Sequence, residues 1–336
     1  MDSAEAIASL EQIGRPIRFG VIGPGRAAAR FAQGFAAVPG AELHAVWGRN
    51  PERTRGFADK FAIPHAPASL NEFFDSSIEA VYVGTHPDSH AQFSIGALAA
   101  GKHVLCEKPA ALNTRQLTNV LAAASRHDRL FMEAMKPPFF PLYQRLRQHL
   151  QANPIGPVGF VRAGNGDTTL STDNPVHFLE LGGGGILGIG PYEAFLALDW
   201  LGELKRVHTL GRLTHAGVDS FALITTEHER GMSQLHAATD LLSYGDALLA
   251  APLGFALIHA NWWNPTRATI HYRDQRIVEL HEPIVAGGFN YETAHFCQLI
   301  RDGRRESPEI THALSLAMAR LLGEARTTLG VKFSGE

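Results

Sequence analysis

Cysteine is scarce in this sequence: only Cys106 and Cys297 occur among 336 residues. Two cysteines cannot build a disulfide framework, so we expect a reduced, cytoplasmic setting. Residues 1–15 are predicted to be a loose or helical lead-in. Residues 1–10 contain two acids and no basic region, which is unlike a secretory signal.

The sequence also lacks a strong charge balance and long apolar runs. The formal net charge is −3 and the pI is near 6.6, which gives no electrostatic reason to expect a nucleic-acid partner. No apolar run reaches the length that spans a bilayer, so no membrane partner is expected. The composition, 45% hydrophobic and 19% charged, is typical of a globular protein.

Clustered metal ligands are missing as well. Seventeen histidines are present, but they are scattered, and the close pair is His86 and His90. A metal site needs about three or four converging ligands. We therefore expect no metal site.

A glycine turn near the start is the most informative motif that is present. The short apolar run Ile17–Ile22 has strand length, and it ends in Gly23, Pro24 and Gly25. Apolar residues then recur at helical spacing. Gly23 would allow a sharp turn and Gly25 would let a pyrophosphate approach the backbone. Strand, glycine turn and helix together predict a dinucleotide-binding unit, against the alternative of an ordinary tight turn.

The helix after this turn has residue types that suit the same role. Ala28 would keep the helix close to the sheet. Arg26 and Ala27 begin the helix, where free N–H groups would face the phosphates. We therefore include both in the predicted cofactor site.

Strands alternate with helices as far as about residue 135, which indicates a doubly wound parallel sheet. In such sheets, ligands bind beyond the carboxyl ends of the strands. Four candidate residues lie at such ends: Gly23, Arg49, Thr85 and Lys108. The predicted dinucleotide-binding Rossmann domain covers residues 1–137.

The pattern changes after Pro137 and Pro138. Glycines 182–185 open an apolar helix predicted over residues 186–201, and a series of strand candidates follows. Residues 138–336 are thus predicted to form an α+β domain with a mostly antiparallel open sheet, used for substrate binding and oligomerisation.

The end of the second strand favours NADP over NAD. An NAD-binding unit usually places Asp or Glu there, on the ribose hydroxyls. This sequence has Arg49 instead, with Arg53 one helical turn further on. Arginine can pair with a 2′-phosphate, although both residues could also be solvated surface side chains.

Glu107, Lys108 and Pro109 lie at another strand end, near the expected place of the nicotinamide. A lysine there can hydrogen-bond a substrate hydroxyl or carbonyl and lower the pKa of a neighbour. The alternative is a lysine that reaches solvent.

The glycine turn and the segment from His103 to Asn113 together resemble the signature of the glucose–fructose oxidoreductase / inositol dehydrogenase (Gfo/Idh/MocA) family. The resemblance covers nearly the whole chain. The segment from Thr85 to His90 is similar to the cofactor-side loop of its dihydrodiol and xylose dehydrogenases. The resemblance implies cofactor contacts at five residues: Thr85, His86, His90, Glu107 and Lys108. It also implies a catalytic pair, Lys108 with Tyr192 of the active-site helix.

Two departures from the family pattern lie near the expected substrate. Gly188 stands where the family usually has aspartate, and Lys136 begins a segment that is commonly Trp-Thr-Arg. Either the substrate differs or catalysis is impaired. Lys136 could replace the missing positive charge, or it could lie in solvent at a hinge.

Some candidates have plain structural alternatives. Tyr192 could be a core residue on an apolar helix. His177 and Asp173 could enter the same pocket, or lie in solvent on a loop. Trp262 and Trp263 could line a sugar site, or pack in the core.

The sequence as a whole predicts an NADP-dependent oxidoreductase acting on a sugar, polyol or related hydroxyl or carbonyl compound. The alternatives are a catalytically silent dinucleotide-binding regulator and redox-assisted glycoside cleavage on the same fold. A homodimer or higher oligomer is expected, because an antiparallel sheet covered on one face leaves the other uncovered. The apolar strand over residues 253–258 is the candidate, and the resemblance also implies sheet-to-sheet dimers.

Overall fold

The computed structural model describes Arg15–Phe333 and Glu336. Most of the predicted lead-in, and the segment considered as a signal, lie outside the described residues. The chain divides into two compact units, which are described separately. The first contains the described residues up to Ala110 together with Thr118–Ala134 and Val285–His312, and the second contains Ala111–Leu117, Met135–Ile284 and the residues from Ala313 onward.

The first unit contains a five-stranded parallel sheet in the order β2-β1-β3-β4-β5. Its strands are β1 Ile17–Ile22, β2 Ala41–Trp47, β3 Ala80–Val83, β4 His103–Glu107 and β5 Phe131–Ala134. Its helices, numbered along the whole chain, are α1 Arg26–Phe35, α2 Pro51–Lys60, α3 Leu70–Asp75, α4 Pro87–Ala99, α5 Thr114–Arg126, whose first turn belongs to the second unit, and α9 Phe289–Arg301. The predicted doubly wound sheet is confirmed.

Aromatic packing explains why α9 belongs to this unit. The ring of Phe296 lies 6.0 Å from that of Phe19 in β1, between ring centroids, and both side chains are fully buried. At Gly34 of α1, an added Cβ would be only 2.9 Å from the Ala286 carbonyl oxygen. This close approach places the segment before α9 against α1. Val285–His312 therefore belongs to the first unit, whereas the predicted boundary at residue 137 assigns it to the second domain.

Capping side chains start two of the helices. The Asn50 side chain accepts a hydrogen bond from the Arg53 N–H at 3.0 Å, and Pro51 occupies the first turn of α2. Ser69 accepts from the Glu72 N–H at 3.2 Å and begins α3. Both helix starts therefore follow from local residue types.

The second unit contains an eight-stranded sheet in the order β13-β12-β11-β10-β6-β9-β8-β7. Neighbouring strands are antiparallel except for the parallel pair β6 and β9. The strands are β6 Phe160–Gly166, β7 Leu204–Leu213, β8 Asp219–His228, β9 Met232–Ala238, β10 Ala247–Ala251, β11 Gly254–Ile258, β12 Arg267–Tyr272 and β13 Ile277–His281. The predicted mostly antiparallel sheet is confirmed.

Helices of the second unit supply its apolar layer. They are α6 Pro141–Ala152, α7 Gly185–Gly188, α8 Gly190–Leu201 and α10 His312–Thr328. Short 3-10 helices cover Pro137–Phe139, Pro175–His177 and Leu179–Leu181, and a fourth, Ala286–Gly288, precedes α9 in the first unit. α8 packs on β6 and β9 and is buried along most of its length.

The prediction of one helix over residues 186–201 is wrong. The chain bends by 44° between the segments Leu179–Gly188 and Gly190–Leu201. Ile189 has non-ideal helical angles, with φ −113° and ψ −50°, so α7 and α8 are separate. Within the described residues, no single helix has the length and apolarity to cross a membrane, and only this bent pair passes such a test jointly.

Candidate functional site

The glycine turn of the first unit is shaped by a close backbone approach. Gly23 has φ +89°, and an added Cβ would lie 2.9 Å from the Cα and N atoms of Thr85. Only glycine adopts this conformation readily in so little space. Gly25 is different, since the nearest atom to its added Cβ is the Gly84 carbonyl oxygen at 3.9 Å. The turn is therefore tight at Gly23 and open at Gly25.

The start of α1 fits a phosphate. Gly25 is the N-cap and, as glycine, has no side chain that could cap this helix. The first N–H groups of a helix have no acceptor inside the helix, and its N-terminus carries partial positive charge. The predicted contacts Arg26 and Ala27 lie in this first turn. An open glycine and an uncapped helix start together suit the pyrophosphate of a dinucleotide.

Two arginines and a histidine form a cluster at the carboxyl ends of β2 and β3, and its positive charge comes from the arginines. Burial is the largest cause that lowers the pKa of His86; the positive charges of Arg49 and Arg53 lower it further, while Asp88 opposes them. Both arginines are exposed, and neither has an ion-pair partner among the described residues. Such a cluster suits a phosphate monoester.

Gly48 places this cluster beside the phosphate turn. An added Cβ at Gly48 would lie 2.5 Å from Cδ of Pro24, so the end of β2 packs directly on the turn. Arg49 follows at once in the chain. The predicted cofactor residues Gly23, Gly25 and Arg49 are therefore brought together.

His90 joins two of the strand-end loops. It is 1% exposed, and its Nδ1 and Nε2 lie 2.8 Å from the Pro109 carbonyl oxygen and 3.1 Å from the Thr85 carbonyl oxygen. Burial is the main cause that lowers the pKa of His90. With both nitrogens facing backbone carbonyls, this geometry favours a supporting role over the predicted direct cofactor contact.

Buried carboxylates hold the loop that carries Lys108. Glu107 accepts from the Tyr82 hydroxyl at 2.6 Å and from the backbone N–H of Lys108 at 3.2 Å. Glu133 accepts from the Ala110 N–H at 2.9 Å. Lys108 itself is half-buried at the end of β4, as predicted. Its backbone is therefore fixed on both sides by side chains that sit deep in the unit.

The second glycine-rich segment lies in the second unit. Gly182 and Gly184 have φ +74° and +104°. An added Cβ at Gly183 would lie 2.6 to 2.7 Å from three backbone carbonyl oxygens, so this loop is closely packed by its own chain. Tyr192 follows in the first turn of α8 and is half-buried. Its partial exposure is compatible with the predicted catalytic role and distinguishes it from the core residues around it.

The predicted substrate residues have contrasting surroundings. Lys136 is 8% exposed, and its ammonium donates to Oδ1 of Asn264 at 2.8 Å. The alternative of a hinge lysine in solvent is therefore wrong. His177 is half-buried at the end of a 3-10 helix, whereas Asp173 is exposed. Trp262 is fully buried, which supports the core alternative for this residue.

Gly188 is packed against a side chain that the sequence did not single out. An added Cβ there would lie 2.9 Å from Cγ2 of Val176, which is 8% exposed. A second missed residue is Asp219 at the start of β8, which is 1% exposed and accepts from the Ile186 N–H at 2.7 Å. The sequence signal for Asp219 is weak, because β8 also contains Glu227 and His228.

Fold and site together define a dinucleotide-binding protein with an appended α+β unit. A family model described as an oxidoreductase family with an NAD-binding Rossmann fold matches residues 17–135. The model of the GFO/IDH/MocA C-terminal domain matches residues 143–249. The chain belongs to the Gfo/Idh/MocA family of oxidoreductases, which confirms the predicted family and the prediction of an oxidoreductase.

Named relatives cover nearly the whole chain. The scyllo-inositol 2-dehydrogenase (NADP(+)) IolU of Bacillus subtilis (strain 168) is 30% identical over 335 residues, covering 95% of this chain and 99% of the relative. The trans-1,2-dihydrobenzene-1,2-diol dehydrogenase of Xenopus laevis is 31% identical over 327 residues, with coverage of 94% and 99%.

Solved structures share the fold at lower identity. KijD10, a 3-ketoreductase from Actinomadura kijaniata in complex with NADP and TDP-benzene, has a TM-score of 0.82 and 24% identity, with coverage of 94% of this chain and 98% of that one. A levoglucosan dehydrogenase in complex with NADH and levoglucosan has a TM-score of 0.85 and 17% identity, with the same coverage.

Proposed function

We propose that this protein is an NADP-dependent oxidoreductase that transfers hydride between the nicotinamide and a sugar, polyol or related hydroxyl or carbonyl compound. The cationic cluster of Arg49, Arg53 and His86 beside the open glycine turn carries the cofactor part of the proposal. The names of the two relatives, both dehydrogenases of hydroxyl compounds, support the reaction class.

Tyr192 and Lys108 are proposed as the catalytic residues. When bound, the nicotinamide supplies the hydride acceptor or donor. The ionised Tyr192 phenol would take the proton of the reacting oxygen in oxidation, and the Tyr192 hydroxyl would give it back in reduction. The Lys108 ammonium would orient that oxygen and favour the ionised phenol. The rigid support of the Lys108 backbone and the partial exposure of Tyr192 are consistent with these roles.

Lys136 and His177 are proposed on the substrate side. Lys136 is anchored by Asn264, which would hold a positive charge in one place. We expect Lys136→Met to raise KM more than it lowers kcat, because it would remove a binding contact that is the same in the ground state and the transition state.

A turnover screen tests the proposal directly. Inositols, trans-dihydrodiols and aldoses are incubated with NADP⁺, and the corresponding ketones and aldehydes with NADPH, while the absorbance of the reduced nicotinamide is followed. Turnover of any compound at a rate above that of the Lys108→Ala/Tyr192→Phe double variant would support the proposal that the protein is an enzyme.

The regulator remains the second candidate because Gly188 replaces the usual acid near the active-site helix. It predicts tight NADPH binding with no turnover across the panel. Release of a leaving group without net change of the cofactor would instead indicate glycoside cleavage.

Assembly through the open sheet face is a further part of the proposal. Four large apolar side chains in one cross-strand row on this face are 36 to 59% exposed: Ile277, Phe255, Phe160 and Met232. Burying such a row between two copies would remove it from water. A dimer or larger mass by light scattering, lost in Phe255→Glu but kept in Leu210→Glu outside the row, would support this interface.

We propose that the protein works in the cytoplasm. Cys106 and Cys297 are both buried and unpaired, and burial raises the pKa of each thiol. Thiols of this kind are inert and need no oxidising compartment. Fractionation of the cells that naturally express the protein is the test.

A further inference from the structure

A buried carboxylate faces the second glycine-rich loop. Asp219 stands at the start of β8, next to a shift in the register between β7 and β8. Strict alternation would place it on the face of Phe221, which is half-buried, yet Asp219 is only 1% exposed. The irregularity at this end of the strand allows the side chain to turn inward.

Both carboxylate oxygens meet the loop. Oδ2 accepts a hydrogen bond from the Ile186 N–H at 2.7 Å. Oδ1 would lie 2.1 Å from a Cβ added at Gly184, and Oδ2 would lie 3.2 Å from one added at Gly185. The glycines are therefore needed because the carboxylate occupies the space that side chains would take.

Backbone hydrogen bonds connect this loop to Tyr192. The Gly188 N–H donates to the Gly184 carbonyl at 2.9 Å, and the Ile189 N–H donates to the Gly185 carbonyl at 2.8 Å. The Tyr192 N–H then donates to the Ile189 carbonyl at 3.3 Å. Each bond places the next segment, so a displacement at Gly184 would be passed through α7 to the first turn of α8.

We propose that Asp219 is a positioning residue that fixes the loop of Gly182–Gly185 and, through α7, the side chain of Tyr192. Its relevance to turnover rests on the role proposed above for Tyr192. A carboxylate suits this task, because it accepts strong hydrogen bonds from N–H groups at a helix start.

The pKa of Asp219 is consistent with a positioning role. Burial is the largest influence on Asp219 and raises its pKa to about 7, while the N–H groups of Ile186 and Gly185 and the positive charge of Arg326 in α10 oppose it. A buried charge of this kind costs stability, so its contribution lies in the geometry that it imposes.

The test compares Asp219→Asn with Asp240→Asn. Asp240 lies in the same unit, where its carboxylate accepts from Ser220 and Arg212 and not from the glycine loop. All six tyrosines are replaced by 3-fluorotyrosine, and the Tyr192 fluorine signal is assigned with Tyr192→Phe. Hydrogen exchange is followed in peptides covering residues 184–190, and kcat and KM are measured where a substrate is known.

We expect Asp219→Asn to speed exchange of the 184–190 peptides by about tenfold or more, because a hydrogen bond to a charged group is lost. The Tyr192 fluorine signal should shift or broaden, while the signal of Tyr82 in the other unit stays unchanged. Asp240→Asn should behave as wild type. The NADPH dissociation constant should change by less than about twofold in both variants, because neither substitution alters a residue of the predicted cofactor site.

Unchanged exchange and an unchanged Tyr192 signal in Asp219→Asn would overturn the proposal. So would a kcat equal to that of Asp240→Asn in a protein that turns over substrate. If Asp219→Asn does not fold, the Ile186 amide proton of the wild type gives the answer, because its chemical shift should titrate with Asp219. A wild type without turnover defeats the proposed function, whereas the exchange and fluorine measurements still decide on Asp219.

Discussion

Two of the protein's glycine-rich turns that lead into helices differ in the space around their glycines. At Gly25, the turn of the first unit leaves open space, with no atom closer than 3.9 Å to an added Cβ. At Gly183 and Gly184, the turn of the second unit is filled, with carbonyl and carboxylate oxygens 2.1 to 2.7 Å from the added Cβ atoms. The first turn has room for an external anion, whereas the second already contains the carboxylate of Asp219.

The difference shows that a glycine cluster alone does not identify a ligand site. In the first unit, the N-cap residue Gly25 has no side chain with which to cap the helix after the turn. In the second unit, Asp219 bonds to the N–H of Ile186 near the start of α7. The comparison therefore supports the two proposals made above, cofactor binding at the first turn and positioning of Tyr192 by the second.

The largest expected effect concerns Tyr192. Removing a general acid/base should lower turnover by about 10²–10⁴, and Tyr192→Phe should do so with NADPH affinity nearly unchanged. Lys108→Ala should give a similar loss, and the two losses should be strongly non-additive if the residues act as a unit. Steady-state kinetics and NADPH titration check this. Near wild-type turnover in Tyr192→Phe would mean that Tyr192 is a core residue, and His177 would become the better candidate for the general acid/base.

The filled turn should also make stability depend on pH. The pKa of Asp219, about 7 in the folded protein, lies above the value near 3.9 of an unfolded chain. Between these values the folded protein holds a proton that the unfolded chain releases, so the free energy of unfolding should fall as pH rises from about 4 to about 7. At about 1.4 kcal/mol per pKa unit, the upper size is about 4 kcal/mol.

Urea unfolding of wild type and Asp219→Asn across this pH range measures that contribution. The asparagine variant cannot titrate, so the difference between the two curves isolates Asp219 from the other acids. A difference that is flat with pH would mean that the carboxylate titrates normally.

Exchanging one glycine in each turn should separate the two roles. Gly184→Ala puts a methyl group against Asp219 at φ +104°, and we expect it to lower the free energy of unfolding by about 1–3 kcal/mol or more. Gly25→Ala has room within the protein, so it should leave stability nearly unchanged while weakening NADPH binding. Thermal unfolding and cofactor titration of both variants would show this crossed pattern. Loss of stability in both would remove the distinction between an open and a filled turn.

The smallest predicted effect is the choice of cofactor at the first turn. A charge-assisted contact of about 1.5–3 kcal/mol implies that NADPH binds roughly 10- to 150-fold more tightly than NADH. Arg49→Asp should narrow or reverse that preference, and Arg55→Asp, on the next turn of α2, serves as a control of equal charge. Fluorescence titration of both cofactors is sufficient. Equal affinities in the wild type would disprove the assignment of Arg49.

Local sequence signals predicted most of the first unit. The glycine turn and the alternation of strands and helices depend on neighbouring residues, and the structure agrees with both. The contribution of α9 to this unit could not be foreseen in the same way. It depends on the packing of Phe296 against Phe19, which are far apart in the chain.

The second unit was harder to predict for a physical reason. The inward turn of Asp219 depends on contacts between separate elements and does not change the local hydrophobic pattern. The break at Ile189 did have a local signal, because glycines flank Ile189 and Pro191 lies in the first turn of α8. The surroundings of Lys136 could not be predicted from the local sequence either. Its burial beside Asn264 joins residues more than a hundred positions apart, which no spacing rule connects.

The contact between Val176 and Gly188 has a consequence for how this sequence can vary. The Cγ2 atom of Val176 lies 2.9 Å from where a side chain at position 188 would begin, and a β-branched residue cannot readily turn aside. The two positions are therefore epistatic. Replacing Gly188 with aspartate alone would meet a steric barrier, whereas the same change made together with Val176→Gly would not. An ancestor or descendant carrying an acid at position 188 is expected to carry a smaller residue at position 176, so the route between the two states requires paired substitutions.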